Sequence, residues 1–377
     1  MILVHLGHVP LDQHHHRGLF EAYARDHLFV YVEKPPRRWL ARGGGAGSLS
    51  EAFASGVVPE RGFVHASIRG PLPLERFGAV TEWNWWLGLR ALLRWLRPRT
   101  TAPVVLSLQT PCLLPTFRGL GADLRVYQVI DDYVGLAPDP FMAHRVARSH
   151  ARSLREADVV WAISETLADA VRPLRADVRL TTTGVDHARF AAARGGPPNP
   201  EVGRVGSPRI GLVGVLNDRV DWNLLEAIAR RRADWHLVLV GPVRHAGPET
   251  GPALDRLLRL GNVVRIGEVE EDQLPACIAG FDVCLVAYRT GPGTLGINPL
   301  KLYQYLAVGK PVVATPLPVA MEFGDLVRVA RTVDQFEAAI AASLLDGEAA
   351  AMVAARQRRA HACDWGAIAT DRAAILA

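Results

Sequence analysis

The stretch Arg289-Thr-Gly-Pro-Gly-Thr-Leu-Gly-Ile-Asn-Pro-Leu-Lys-Leu-Tyr-Gln-Tyr-Leu-Ala-Val-Gly-Lys-Pro-Val-Val-Ala-Thr315 decides how the chain folds. It reads as a glycine-rich loop, a helix from about Asn298 to Val308 and a buried strand from Pro311. Asn298 suits an N-cap, Pro299 the first helical position, and Gly309 a left-handed C-cap. Gly291, Gly293 and Gly296 leave the backbone free to approach a ligand. Lys301 falls in the first turn, where a cation opposes the helix dipole by roughly 0.3–1 kcal/mol. An anion held at that end reverses the sign. Lysine is scarce: Lys34, Lys301 and Lys310 stand among 43 Lys and Arg. A surface lysine on an ordinary loop–helix unit and a phosphate cradle both fit these letters, and the rest of the chain has to decide.

A chain of 377 residues is long for one core and comfortable for two domains. Its net charge of +5 is mild. It suits acidic small molecules or an anionic membrane surface and falls short of a nucleic-acid patch. Cys112, Cys277, Cys284 and Cys363 show no C-x-x-C spacing, which argues against a disulfide framework or a zinc knuckle. The segment Met1–Gly7 reads as a strand without a cleavage signal, and no apolar run reaches the ~20 residues of a spanning helix. The expectation is a cytoplasmic protein, soluble or peripheral at the inner face of the membrane.

Buried-strand patterns alternate with helical ones throughout, so the fold class is α/β with parallel sheets covered by helices. The first half gives strands near 2–7, 27–33, 63–68, 104–109, 124–130, 159–164 and 178–183. Residues 195–203 read as an interdomain linker. The rhythm restarts at 209–216, 236–243, 262–266, 283–288, 311–315 and 327–330. Two Rossmann-like domains, 1–195 and 204–350, are therefore expected to face a central cleft. The chain from Glu348 reads as helix with Trp365 near its middle, and its last part, about 355–377, is expected to pack back on the first domain. Ligands in such folds sit at strand C-termini.

Several residues stand at such places. Gly214-Val-Leu-Asn-Asp-Arg219 follows a strand without the G-x-G-x-x-G dinucleotide fingerprint. That suits a phosphate held by fewer glycines and an arginine, although Arg219 also fits a solvated loop. Asp131 and Asp132 end the fifth strand, where paired carboxylates orient hydroxyls or perturb one another's titration, or simply cap a helix. His14, His15 and His16 follow the first strand, near His5 and His8. Adjacent residues point in different directions and no i, i+4 pair with a carboxylate is present, so no metal is expected. A place lining the crevice against an anionic or hydroxylated ligand is the alternative to an ordinary loop. The segment 83–97 is amphipathic, with Trp85, Leu89, Leu92 and Leu96 in one stripe and arginines elsewhere. It fits either packing on a sheet or peripheral membrane contact.

The order of motifs resembles retaining glycosyltransferases of the GT-B fold, in the large family four of that classification. In the second half the resemblance rests on Asp221-Trp-Asn-Leu-Leu225, Leu237-Val-Leu-Val-Gly-Pro242, Val263-Val-Arg-Ile-Gly267, Gln273-Leu-Pro275, Phe281-Asp-Val-Cys-Leu285 and Asn298 to Val313. In the first half it rests on Ile163-Ser-Glu-Thr-Leu167 and Thr183-Gly-Val-Asp-His-Ala-Arg-Phe190.

The resemblance implies a nucleoside-diphosphate sugar bound by the second domain and a hydroxylated acceptor (glycan, glycolipid or secondary metabolite) by the first. It puts the diphosphate over Gly296, Ile297, Asn298, Leu300 and Lys301, with Gly214 and Arg219 alongside. The base falls near Arg265 and Gly267. The family's Glu-x7-Glu pair is replaced by Gly296 and Gln304, and Gln304 can still hydrogen-bond a ribose hydroxyl. Asp131 stands about where many relatives carry a histidine that touches the donor sugar. Asp131, Lys301 and Arg219 are the expected catalytic set, with His15, His16 and Asp132 toward the acceptor. The resemblance further implies retention at the anomeric carbon with no cofactor or metal. Nucleic acid is not an expected partner, and oligomeric state is not fixed by these letters. The missing acid pair keeps a second expectation open, a non-catalytic GT-B protein that binds nucleotide sugars or assists a partner. An epimerase of the same architecture is a third.

Overall fold

The computed structural model describes residues 1–7, 11, 14, 16–33, 47–48, 58–67, 78–111, 118–137, 139–244, 247, 250–291 and 293–377. His8, His15, Lys34 and Cys112 lie outside the described residues. The chain divides into two compact units, residues 1–182 with 366–377, and residues 183–365.

The first unit is built on an eight-stranded sheet in the order β3-β4-β2-β1-β5-β6-β7-β8. Its strands are β1 (Ile2–Gly7), β2 (Leu28–Glu33), β3 (Gly47–Ser48), β4 (Gly62–Ser67), β5 (Val104–Leu108), β6 (Leu124–Val129), β7 (Val159–Ala162) and β8 (Arg179–Leu180), all paired in parallel. All six residues of β1 and all five of β5 are buried, as parallel strands with helices on both faces require. The amphipathic segment forms helix Gly78–Leu96, and Trp85, Trp86, Leu89, Leu92, Leu93 and Leu96 are all buried in the core of this unit. Its apolar stripe therefore packs in this core, the first of the two readings of 83–97. Among its described large apolar side chains only Trp83 is exposed.

The second unit carries a six-stranded parallel sheet in the order β11-β10-β9-β12-β13-β14. Its strands are β9 (Arg209–Val213), β10 (His236–Val240), β11 (Val263–Ile266), β12 (Val283–Val286), β13 (Val312–Ala314) and β14 (Val327–Val329). Alternate residues of one strand enter opposite cores. Val238, Val240, Cys284 and Val286 join the cluster around Tyr303 and Leu306, whereas Leu237, Leu239, Val283 and Leu285 join that around Trp222 and Phe336. Short polar side chains start the helices: Asp221 accepts from Leu224 N–H and Thr332 from Gln335 N–H.

Residues 195–203, expected as a linker, lie inside this second unit. There Asn199 is buried and its N–H donates to the Ala276 carbonyl. The expected single C-terminal helix is two, Ala350–His361 and Trp365–Leu376. The break follows from Val185, which pairs with the chain at Cys363–Trp365. Within the first unit, buried Arg372 on the last helix donates to Thr181 Oγ1 and Gln128 Oε1 and lies over the Trp161 ring.

Candidate functional site

In the second sheet the chain leaves β9 toward β10 and β11, then returns to the other side of β9 as β12. This reversal is where open α/β sheets hold ligands. Gly214 follows β9 with φ +115°, a conformation that side chains disfavour. Its N–H donates to the Val240 carbonyl, and the loop beyond is pinned on both flanks. Leu216 N–H donates to Pro242 O, and Asp218 accepts from Gly247 N–H and Thr250 Oγ1. On the β12 side Asp221 N–H donates to Ala287 O, and Arg289 N–H to Arg219 O. Half-buried Arg219 is thus fixed beside Tyr288.

Helix Leu300–Val308 starts at the same edge. Asn298 is not its N-cap. Pro299 holds that place with an extended ψ of 123° and makes no side-chain capping bond. The Asn298 carbonyl instead accepts from the Thr183 hydroxyl at 3.0 Å. Of Gly291, Gly293 and Gly296, only Gly293 takes a left-handed φ, +81°.

Lys301 sits in the first turn and is only 7% exposed. Its Nζ meets no hydrogen-bond partner among the described residues. It rests 4.9 Å from the centre of the Tyr288 ring and 3.1 Å from where a Cβ on Gly214 would stand. A buried, unpaired ammonium at the positive end of a helix combines two unfavourable terms at one atom. The ring offers about 0.5–2 kcal/mol in return. A diphosphate at this edge would remove both terms, since uncapped helical N–H groups and a buried cation would then face an anion. Gln304 is the one side chain from 301 to 309 that is not buried, and it shares a helix face with Lys301. Gly296, Ile297 and Asn298 are buried in the loop, Leu300 is half-buried, and Arg265 and Gly267 are exposed at the edge strand β11.

Two tyrosines here were not anticipated. Tyr288 carries Lys301, and Tyr305, one turn further along the helix, accepts from Val213 N–H at 2.9 Å. The i, i+4 spacing from Lys301 was the signal that could have found Tyr305.

In the first unit the equivalent reversal lies between β1 and β5. A buried polar row crosses it. The Gln109 side-chain amide meets His16 Nδ1 at 2.7 Å and Gln128 Oε1 at 3.4 Å. Gln128 donates to Ser107 Oγ at 2.9 Å, and Ser107 meets His5 Nδ1 at 3.2 Å. Tyr133 donates its hydroxyl proton to the Gln109 carbonyl at 2.9 Å, which ties His16 to the end of β6 where Asp131 and Asp132 stand. Asp132 accepts from Gly135 N–H at 2.9 Å and so closes its own turn. Burial holds the nearby His150 imidazole below its ordinary value, partly opposed by the Asp132 charge. Gln109 and Gln128 were missed by sequence reasoning, although Gln109 directly follows β5 at the edge where ligands gather. Among the described residues no group of three His, Cys, Asp or Glu is placed to hold a metal ion.

Comparison with known proteins agrees with this architecture. Residues 207–346 match the family model described as Glycosyl transferases group 1. The chain is 28% identical over 261 residues to a protein of Bacillus subtilis (strain 168) named for a role in teichuronic acid biosynthesis as glycosyltransferase TuaH. That alignment spans 64% of this chain and 64% of the relative's length. Among solved structures, sucrose-phosphate synthase from Thermosynechococcus elongatus is similar with a TM-score of 0.74 at 16% identity, covering 100% of this chain and 98% of that one. Anabaena Alr3699/HepE, solved with UDP and glucose, is similar with a TM-score of 0.68 at 17% identity, covering 99% and 98%. The chain has the GT-B fold, with two Rossmann-like domains, and the match to the glycosyl transferases group 1 model lies in the second of them.

Proposed function

We propose that this chain is a retaining glycosyltransferase that moves a sugar from a nucleoside-diphosphate donor to a hydroxyl acceptor. The observation that carries the reading is Lys301, a buried cation whose Nζ has no hydrogen-bond partner among the described residues, at the uncapped start of helix Leu300–Val308. The ligands seen in complex with a similar fold, UDP with glucose and UDP-glucose in the Anabaena protein, are a nucleoside diphosphate and its sugar.

In this reading the diphosphate lies against the first turn of the helix, and Lys301 and Arg219 meet its charge in place of a divalent ion. Gln304 holds a ribose hydroxyl, and the base lies toward Arg265 and Gly267. Transfer breaks the bond between the anomeric carbon and the diphosphate oxygen and forms one to the acceptor oxygen on the same face. The acceptor's proton passes to the departing phosphate oxygen, so no side chain need act as general base. Charge develops on that leaving group, and fixed donors that face it lower the barrier. The acceptor lies with the first unit, toward His16 and Asp132, with Asp131 toward the donor sugar.

A panel of nucleoside diphosphates and their sugars tests this by calorimetry, followed by assay of nucleoside diphosphate release. Binding of at least one diphosphate in the micromolar range is expected; if none binds, the reading fails. Gln304 and Gly296, in place of two carboxylates, favour one second reading, a non-catalytic binder. Tight binding without transfer or release would establish that one instead.

A further inference from the structure

We propose that the outward face of helix Pro140–Glu156, in the first unit, docks on an anionic lipid surface. Phe141 opens this helix and is 71% exposed. Val134 and Leu136, in the turn just before it, are exposed as well. Single exposed apolar side chains are ordinary and carry no argument. What distinguishes this one is the row that follows on the same face. Arg145, Arg148 and Arg155 are exposed and stand four, seven and fourteen residues from Phe141, within about one face at 3.6 residues per turn. The Arg145 guanidinium lies 5.8 Å from the centre of the Phe141 ring. No acidic residue occurs from Pro140 to Arg155. On its inner face the helix buries Ser149, Ser153 and Leu154, whereas Phe141, His144, Arg145, Arg148 and Arg155 are exposed.

An aromatic and two aliphatic side chains at one end of an arginine row make the composition of a helix that lies in a membrane interface. Helix Gly78–Leu96 lacks this property, because its apolar stripe is inside the core. A soluble polyanion would engage the arginines and ignore Phe141. The apolar end begins within a few residues of Asp131 at the end of β6, so a docked surface would lie beside the sheet edge where His16 and Gln109 meet.

The experiment is sedimentation of the full chain with vesicles of phosphatidylcholine alone or with about a third phosphatidylglycerol. Partition into the anionic vesicles only is expected, weakening as salt is raised. Each arginine near such a surface strengthens partition about fivefold, so Arg145→Gln with Arg148→Gln should weaken it about twenty- to thirtyfold. Phe141→Ser should weaken it about tenfold. All three positions are exposed, so melting temperature and nucleoside diphosphate binding should stay at wild-type values. Failure of docking is thereby separable from failure of the proposed activity. No partition into anionic vesicles, or equal partition of the triple variant, would overturn the proposal. So would equally tight binding to dextran sulfate that Phe141→Ser leaves untouched.

Discussion

The hydroxyl oxygen of Tyr305 accepts the N–H of Val213 at 2.9 Å and donates to the carbonyl of Leu285 at 3.4 Å. It thus stands in for a rung between β9 and β12, whose direct pairing stops at Val283 with Ile210 and Cys284 with Gly211. The strands part beyond that point, and Gly214 leaves β9 there to pass Lys301. Tyr305→Phe strips both backbone groups of a partner in a fully buried place, at a cost of about 1–3 kcal/mol. The expected outcome is a lower melting temperature together with weaker diphosphate binding, because the Gly214 loop loses its anchor. Thermal melts with and without nucleoside diphosphate check it; an unchanged melt would show that the rung contributes nothing.

Lys301 should behave in the opposite way. Replacing a buried ammonium that has no hydrogen-bond partner among the described residues by an apolar chain of similar length removes a desolvated charge at the cost of the contact with Tyr288. Lys301→Met should leave the melting temperature unchanged or raised. Affinity for nucleoside diphosphate should fall roughly 10- to 100-fold, the loss of a charge-assisted bond. A variant with a lowered melting temperature and undiminished affinity would place this lysine in the core's service and remove it from the ligand's.

Much of this was legible in the letters. β1 was expected and found at Ile2–Gly7, and β5 and β6 differ from expectation by one residue at one end, because strands buried on both faces spell near-continuous apolar runs. The expected strand 178–183 shrinks to Arg179–Leu180 at the sheet edge, with both residues exposed. The strand from Arg209 stops at Val213 because Gly214 turns away with positive φ. Lys301 could be placed in a first turn by caps and spacing. Its burial could not, since Gly214 and Tyr288, which enclose it, come from distant parts of the chain. The same holds for His16, whose partner Gln109 arrives from the loop after β5.

Gly214 and Gly267 offer a matched pair of alanine substitutions. At Gly214 the added methyl meets a φ of +115° and the Lys301 side chain at 3.1–3.3 Å. Gly214→Ala should therefore cost about 1–3 kcal/mol and displace the ammonium. At Gly267 nothing lies within 4 Å of the new methyl, and no left-handed φ opposes it. Gly267→Ala should melt as wild type does, so a fall in nucleoside diphosphate affinity there would report direct crowding of the ligand. Calorimetry on both variants separates backbone strain from contact.

Buried thiols and phenols should set the alkaline limit of stability. Burial pushes the Cys277 thiol up to about 11, and Cys284 is raised too, burial outweighing the pull of Lys310 and Arg356. Tyr305 is raised well above its ordinary value by burial, and Tyr23 is raised by burial against the opposing charge of Arg372. In each case the folded chain keeps a proton that the unfolded chain gives up first. Stability is then fully present below the unfolded values, near 9 for the thiols and 10 for the phenols. It falls as pH rises above them, by about 1.4 kcal/mol per pH unit for each group in its window. Melting temperature should hold up to about pH 8.5, decline from about pH 9 and decline more steeply beyond pH 10. Cys277→Ala with Cys284→Ala should abolish the first decline and keep the second. If the double variant loses stability between pH 9 and pH 10 as steeply as the wild type, the thiols are not the groups that hold their protons.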